Sequence, residues 1–257
     1  MSKMGRPKLD RTNETRINNN GEEMRIIRYG NVHDIDVQFD DGVILEHREY
    51  GAFLKGQIKN PMTPTYYGIG FIGVGKFKTC DENGKNTKCY DTWLNMLARC
   101  YDPKLQEKYP TYKNCRVCEE WWNFQVFAEW YYSHFYEIEN ERMALDKDIL
   151  KKGNKVYSAD TCVYVPQSIN SLFIKRDNER GNLPIGVRKN RNKFQARLCK
   201  GNGKRIQLGT YTTPEEAFLV YKEHKEQFIK EVAEKYKGQI PHEAYEALMN
   251  YEVEIDD

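Results

Sequence analysis

Eight basic residues and no acidic one lie between Gly181 and Tyr211. Three segments in that block alternate as strands do: Ile185–Lys189, Lys193–Cys199 and Arg205–Thr210. Successive side chains of a strand point to opposite faces. Phe194, Ala196 and Leu198 therefore share an inner face with Val187, Ile206 and Leu208. The outward set is Arg188, Gln195, Arg197, Arg205 and Gln207. A guanidinium bonds guanine through two hydrogen bonds, and a carboxamide does the same for adenine. This set therefore suits base edges in a groove wide enough for a β-sheet. Lys189, Arg191, Lys193, Lys200 and Lys204 fall in or near the turns, where cations hold phosphates. The competing reading is a solvated basic face. Residue type and strand phase coincide over three strands, which favours DNA.

A second cluster offers hydrolytic chemistry. Leu145–Ile149 and Thr161–Val165 read as strand, loop, strand, with a polar loop running through Gly153-Asn154. Pro166 ends the second strand and a short helix follows, with Asn170 near its start. Asp146, Asp148 and Asn170 supply two carboxylates and an amide, and oxygen ligands of this kind suit Mg²⁺ or Mn²⁺. Phosphodiester hydrolysis needs a divalent metal on the phosphate and a base to activate water. The alternative is a charge cluster on a structural hairpin.

Other elements must position these groups. Trp93, Met96, Leu97 and Cys100 have the spacing of an amphipathic helix. Trp121, Phe124, Ala128, Tyr131 and Phe135 mark a second, its apolar face broadened by Trp122, Val126 and Trp130. These aromatics read as core. Thr213-Pro214-Glu215-Glu216 opens a third helix with an N-cap, a proline at the first position and a capping-box glutamate. Ala217, Tyr221, His224 and Phe228 form its expected buried stripe. Near the N-terminus, Met24–Tyr29 is strand-like, and Ile35, Val37 and Phe39 alternate with polar residues. Asp40-Asp41-Gly42 signals a hairpin turn, answered by Val43–Leu45.

The block 183–238 thus reads β-β-β-α. Gly186-Val187-Arg188, Lys193–Arg197, Leu208–Tyr211 and Thr213–Ala217, followed by Tyr221, resemble the ethylene-response-factor (APETALA-two type) DNA-binding domain of plants. The resemblance implies a three-stranded sheet, backed by one helix, lying in the major groove. Phe194 and Gln207 stand where that family usually has Trp, so its target sequence does not transfer. Leu145–Asn170 resembles the HNH module of phage-borne homing endonucleases. By that resemblance Asp146 and Asn170 are metal ligands, Asp148 is a possible second carboxylate, and Asp146-Lys147 stands at the Asp-His position. Trp93–Tyr101 and Val117–Trp130 also look like phage proteins that pair such a module with this C-terminal domain. Lys147 replaces the general-base histidine. A lysine of ordinary pKa is protonated at neutral pH and accepts no proton, so its expected part is to hold the scissile phosphate or stabilise transition-state charge. His134 is a conceivable substitute base.

The expected architecture is α+β and multidomain. A flexible basic arm (1–20) contains Gly5-Arg6-Pro7, which resembles an AT-hook core. A small β module (21–60), an HNH-like ββα-metal nuclease module with aromatic helices (66–176), a C-terminal three-stranded antiparallel sheet plus one helix (183–238) and an acidic tail (239–257) follow. The tail holds six acidic residues and no Lys or Arg from Pro241 to Asp257. Seven scattered cysteines suit reduced, buried thiols. Cys115-x-x-Cys118 could join two of Cys80, Cys89, Cys100 or Cys162 in a structural zinc site, but no second C-x-x-C supports it. The five histidines show no ligand pattern. No apolar run approaches the roughly 20 residues of a membrane span, and no secretory signal is evident, so the expected location is cytoplasmic. Two functions remain open. One is a sequence-targeted, metal-dependent DNA endonuclease acting on double-stranded DNA. The other is a catalytically decayed DNA-binding regulator or phage counter-defence factor, with a protein partner reached through the acidic tail as a further possibility.

Overall fold

The structure is a computed structural model that describes residues 9–174, 181–200, 205–255 and 257. Gly5-Arg6-Pro7 and Lys204 lie outside the described residues. The chain is mixed α+β, and no described helix is long and apolar enough to cross a membrane. It divides into two compact units. Met1–Lys85 with Glu119–Phe127 form the first, and Asn86–Cys118 with Ala128–Asp257 the second. Residues 66–85, which the sequence pattern groups with the middle segment, fall in the first unit.

In the first unit β1 (Thr15–Ile17), β2 (Glu23–Asn31), β3 (Asp34–Phe39) and β4 (Ile44–Arg48) form an antiparallel sheet in chain order. Met24, Ile26, Ile35, Val37 and Phe39 are buried against Tyr50 and Phe53 of α1 (Tyr50–Leu54). The expected arm does not extend to residue 20. Asn18 is 4% exposed, and its carboxamide donates to the Ile58 carbonyl at 3.1 Å and accepts from the Asn20 and Glu22 N–H groups. The Asn-rich run is thus the tight turn between β1 and β2. Asn favours such turns because its side chain bonds the backbone two residues on.

In the second unit, α2 (Lys88–Tyr101) buries Cys89, Tyr90, Trp93, Met96, Leu97 and Cys100. Asp102 caps α3 (Pro103–Lys108), accepting from the Lys104 N–H at 2.9 Å. Residues 119–134, of which 119–127 belong to the first unit, are not one continuous helix. A 3₁₀ turn (Glu119–Trp122) precedes α4 (Phe124–His134), and Val126 is 43% exposed rather than part of the apolar face. The short strand β5 (Arg116–Val117) pairs parallel with β7 (Val156–Tyr157). Strand β6 (Met143–Asp146) pairs antiparallel with β8 (Val163–Pro166), which runs into α5 (Gln167–Asn170) and a 3₁₀ turn (Ser171–Phe173). Next comes a three-stranded antiparallel sheet of β9 (Val187–Asn190), β10 (Lys193–Cys199) and β11 (Arg205–Tyr211), with β10 central.

The helix α6 (Pro214–Lys235) joins the sheet to the β6–β8 pair. Thr213 and Glu216 form its capping box, which satisfies N–H groups a helix start leaves orphaned. At 22 residues it spans about 33 Å. Its buried row is Ala217, Tyr221, Lys225, Ile229 and Ala233, spaced four apart, with Phe218 beside it. Ala217, Phe218 and Tyr221 pack with Val187, Ala196 and Leu198 of the sheet. Ile229, Ala233 and Tyr236 pack with Val163, Val165 and Ile169. His224 lies outside this row, is exposed, and bonds back to the Val220 carbonyl at 2.9 Å. The four-residue spacing from Tyr221 leads to Lys225 instead.

Residues 239–257 are not a solvated tail. In α7 (His242–Met249), Ala244 and Leu248 are buried with Ile240 against α6, and Val253 is buried beneath the sheet. The acidic residues of α7 ride on the outside, so the charge count conceals an amphipathic helix.

Candidate functional site

The ladder register settles which side chains of the C-terminal sheet share a face. Arg188, Gln195 and Thr210 lie in one row, Arg197 and Gln207 in the next, and Cys199 and Arg205 in the last. Residues directly opposite in an antiparallel pair share a face, and Val187, Ala196 and Gly209 form the alternating inner row. A bulge places Leu208 as an extra residue between the Ala196 and Arg197 partners. Leu208 still packs inward, whereas Ile206, opposite Leu198, is 41% exposed at the edge. Arg188, Arg205 and Gln207 are exposed, and Gln195 and Arg197 half-buried. Lys189, Arg191 and Lys193 surround the β9–β10 turn and are exposed. Arg191 adopts φ 55° there, a left-handed conformation that costs a side-chain-bearing residue about 1 kcal/mol. Among the described residues, Arg188, Lys189, Arg191, Lys193 and Arg197 have no carboxylate partner. Gly186 at φ 76° seats β9 on α6, since a Cβ there would drive into the Tyr221 ring.

The β6–β8 pair brings the second cluster together. Asp146, the last residue of β6, lies opposite Val163 of the wholly buried β8. Its carboxylate accepts from the Asp148 and Ile149 N–H groups at 2.6 and 2.8 Å, which pins the chain as it leaves the strand. Burial raises the Asp146 pKa, and those two hydrogen bonds only partly offset it. Asn170, the last residue of α5, is half-buried and its amide has no partner among the described residues. Asp146, Lys147, Asp148 and Asn170 all line one cleft of about 820 Å³.

Lys147 is placed differently from expectation. Its side chain is 7% exposed. Its ammonium donates to the Asp148 carboxylate and, at 2.8 Å, to the Asn154 carbonyl, 5.8 Å from the Tyr157 ring centroid. Asn154 returns the brace by donating to the Lys147 and Val156 carbonyls at 2.8 and 2.6 Å. Lys147 and Asp148 are therefore counter-ions within the loop. His134 is not among the residues lining the cleft. It stacks on Trp130, with centroids 4.7 Å apart.

The same cleft holds cations that sequence reasoning missed. Arg99, Lys108 and Lys155 line the cleft with Tyr109, Tyr112 and Tyr157. The guanidinium of Arg99 lies 5.6 Å from the Tyr112 ring centroid and bonds the buried Tyr157 hydroxyl. Burial opposes its charge, while the bond to the Tyr157 hydroxyl and the Tyr112 ring face support it. Arg99 has no carboxylate partner among the described residues. A half-buried guanidinium fork with no carboxylate partner among the described residues is arranged to receive an anion such as phosphate. Nothing in the sequence near Arg99 marks it, because it lies on a helix whose visible pattern is apolar.

Cys115 and Cys118 gather no metal set among the described residues. Burial pushes the Cys89 and Cys100 thiols up to about 12 and raises Cys115 and Cys162 as well, away from the thiolate that zinc requires. The ligand atoms that do gather, within 4.8 Å of one another, are those of Asp34, Asp36 and His47 in the first unit. Arg28 already bonds both carboxylates at 2.5 to 3.0 Å and holds their pKa values low. This group is an internal ion network bracing β2, β3 and β4. No family model, curated protein or solved structure matches the chain.

Proposed function

We propose that the protein is a divalent-metal-dependent DNA endonuclease of the HNH type, targeted to duplex DNA by its C-terminal sheet. The observation that carries this reading is the convergence of Asp146 and Asn170 on one cleft with the unpaired Arg99. Asp146 and Asn170 fit a hard cation. The carboxyl's pKa is raised by burial, a penalty that a nearby cation would relieve, and the amide oxygen has no partner among the described residues. Mg²⁺ or Mn²⁺ keeps several waters and needs few protein ligands. When bound, the metal would polarise the scissile phosphate and stabilise charge on the leaving oxygen. Arg99 holds the phosphate, with Lys108 and Lys155 lining the same cleft. Lys147 and Asp148 keep the loop in shape instead of touching the substrate. The sheet presents Arg188, Gln195, Arg197, Arg205 and Gln207 to base edges, and Lys189, Arg191 and Lys193 to the backbone.

A second reading, a DNA-binding regulator or counter-defence protein without catalysis, is favoured by one feature. Lys147 stands at the general-base position and is locked to Asp148. Supercoiled-plasmid cleavage in Mg²⁺ or Mn²⁺ separates the two. The endonuclease nicks plasmid, and Asp146→Asn and Arg99→Gln each lower nicking by at least ~100-fold, the scale of one lost electrostatic contact, with binding to duplex retained. Intact binding with no nicking by the wild type would leave the regulator reading standing.

A further inference from the structure

Tyr251 and Asp257 line the same cleft as Asp146 and Arg99. They belong to the strap that follows α7, whose two parts are anchored differently. The first part is fixed to α6. Val253 is 3% exposed within the core beneath the sheet. Its carbonyl accepts from Lys222 at 2.7 Å, and its N–H donates to Glu226 at 2.8 Å. In the second part the Glu254 N–H donates to the Asp257 carboxylate at 2.9 Å. This part lays two carboxylates on Lys152, Asp257 at 2.9 Å and Glu254 at 3.2 Å.

Lys152 lies in the loop between β6 and β8, four residues beyond Asp148, and lines the cleft. Two anionic oxygens resting on an ammonium in a cation-lined cleft reproduce what a phosphodiester offers. Glu254 reaches Lys152 from an exposed position and Ile255 is 48% exposed, whereas Asp257 is 5% exposed. The Glu254 pair yields to salt and to competing phosphate, and the shielded Asp257 pair yields to a phosphate that replaces its charge on Lys152.

We infer that Lys152 is a phosphate subsite for a nucleic-acid strand in the cleft. Glu254 and Asp257 cover it in the free protein and leave it when a strand enters. The inference rests on the cleft being the nucleic-acid site proposed above. The strap is thus a built-in competitor that discriminates against weakly held strands.

The test measures binding of a fluorescein-labelled 12-mer duplex by the full chain, in an Arg188→Ala, Arg197→Ala, Arg205→Ala background so that the cleft is read and not the sheet. Glu254→Gln with Asp257→Asn keeps the turn and removes both charges. It tightens binding about five- to tenfold, the scale of releasing Lys152 from one exposed and one shielded carboxylate. Lys152→Met weakens binding and erases that gain. In the wild-type chain, amide exchange of residues 254–257 rises when the duplex saturates the protein, a readout that needs no variant. Unchanged or weaker binding by the charge-neutral strap, or unchanged exchange at saturation, overturns the inference. Adding Arg99→Gln to the background separates the two levels. If it leaves affinity unchanged, the cleft itself is not the binding surface. If it weakens binding while the neutral strap has no effect, only the strap's role fails.

Discussion

Lys225 is the one charged residue in the buried row of α6, and it sets up a measurable pH dependence. It is 7% exposed, and its ammonium donates to the Leu172 carbonyl at 2.8 Å. Burial lowers its pKa from 10.5 to about 8. The unfolded chain binds the proton up to its ordinary pKa, so between about pH 8 and 10.5 the unfolded state carries more protons than the folded one. Stability therefore rises with pH across that window, and the full penalty is present below it. A shift of that size corresponds to about 3 kcal/mol at neutral pH. Lys225→Met removes the charge at similar length and loses the bond to Leu172, which costs about 1–2 kcal/mol. The variant should be about 1–2 kcal/mol more stable than wild type at pH 7. At pH 10 that advantage should vanish or reverse. Urea unfolding of both proteins at pH 7 and pH 10 reads this directly, because titrations elsewhere cancel in the difference. A wild-type to variant difference that does not change with pH would refute the argument.

Two further outcomes follow from the sheet. Replacing Lys189, Arg191 and Lys193 together with Ala should flatten the dependence of log affinity for duplex on log salt by about 2–3 units, since each lost phosphate neutralisation removes roughly 0.9. An unchanged slope in a salt titration would remove these three cations from the interface. Gly186→Ala places a Cβ against the Tyr221 ring at φ 76°. It should cost about 2–3 kcal/mol in denaturant unfolding, the scale of overpacking in a core that cannot give.

The strands and helices of the C-terminal block are legible because residue type, strand period and cap chemistry agree there. Thr213, Pro214 and Glu216 specify the start of α6, and alternation through β10 assigns its two faces. The bulge at Leu208 is not legible, since an extra residue shifts the register without changing composition. The candidate cleft is half legible. Asp146 and Asn170 stand out in a strand-loop-strand-helix pattern. Arg99 does not, because its meaning depends on Tyr112 and Tyr157, which are brought to it by chain pairing far along the sequence. The setting of Lys147 is hidden for the same reason: position suggests a catalytic part, and the fold gives two of its three donors to Asp148 and Asn154. The C-terminal segment misleads through charge, because the apolar spacing of Ile240, Ala244 and Leu248 decides its structure and the six carboxylates do not.

Lys225 also bears on how the sheet and the cleft act together. The residue it bonds, Leu172, lies two positions beyond Asn170, in the turn that continues α5. The same helix carries Ala217, Phe218 and Tyr221 under the sheet and Ile229 and Ala233 under β8. A 22-residue helix packed at both ends transmits displacement with little bending, because packed interiors resist deformation. On the proposed function, a duplex on Arg188, Arg197 and Arg205 would therefore sit at a fixed offset from Asp146 and Asn170. On this view the buried ammonium is a cost in stability retained for position. Lys225→Met should gain stability and still weaken metal-dependent nicking, and Lys225→Ala should weaken it further by freeing more of the turn. If both variants nick as well as wild type at saturating metal, the coupling runs through apolar packing alone and Lys225 contributes nothing to the placement of Asn170.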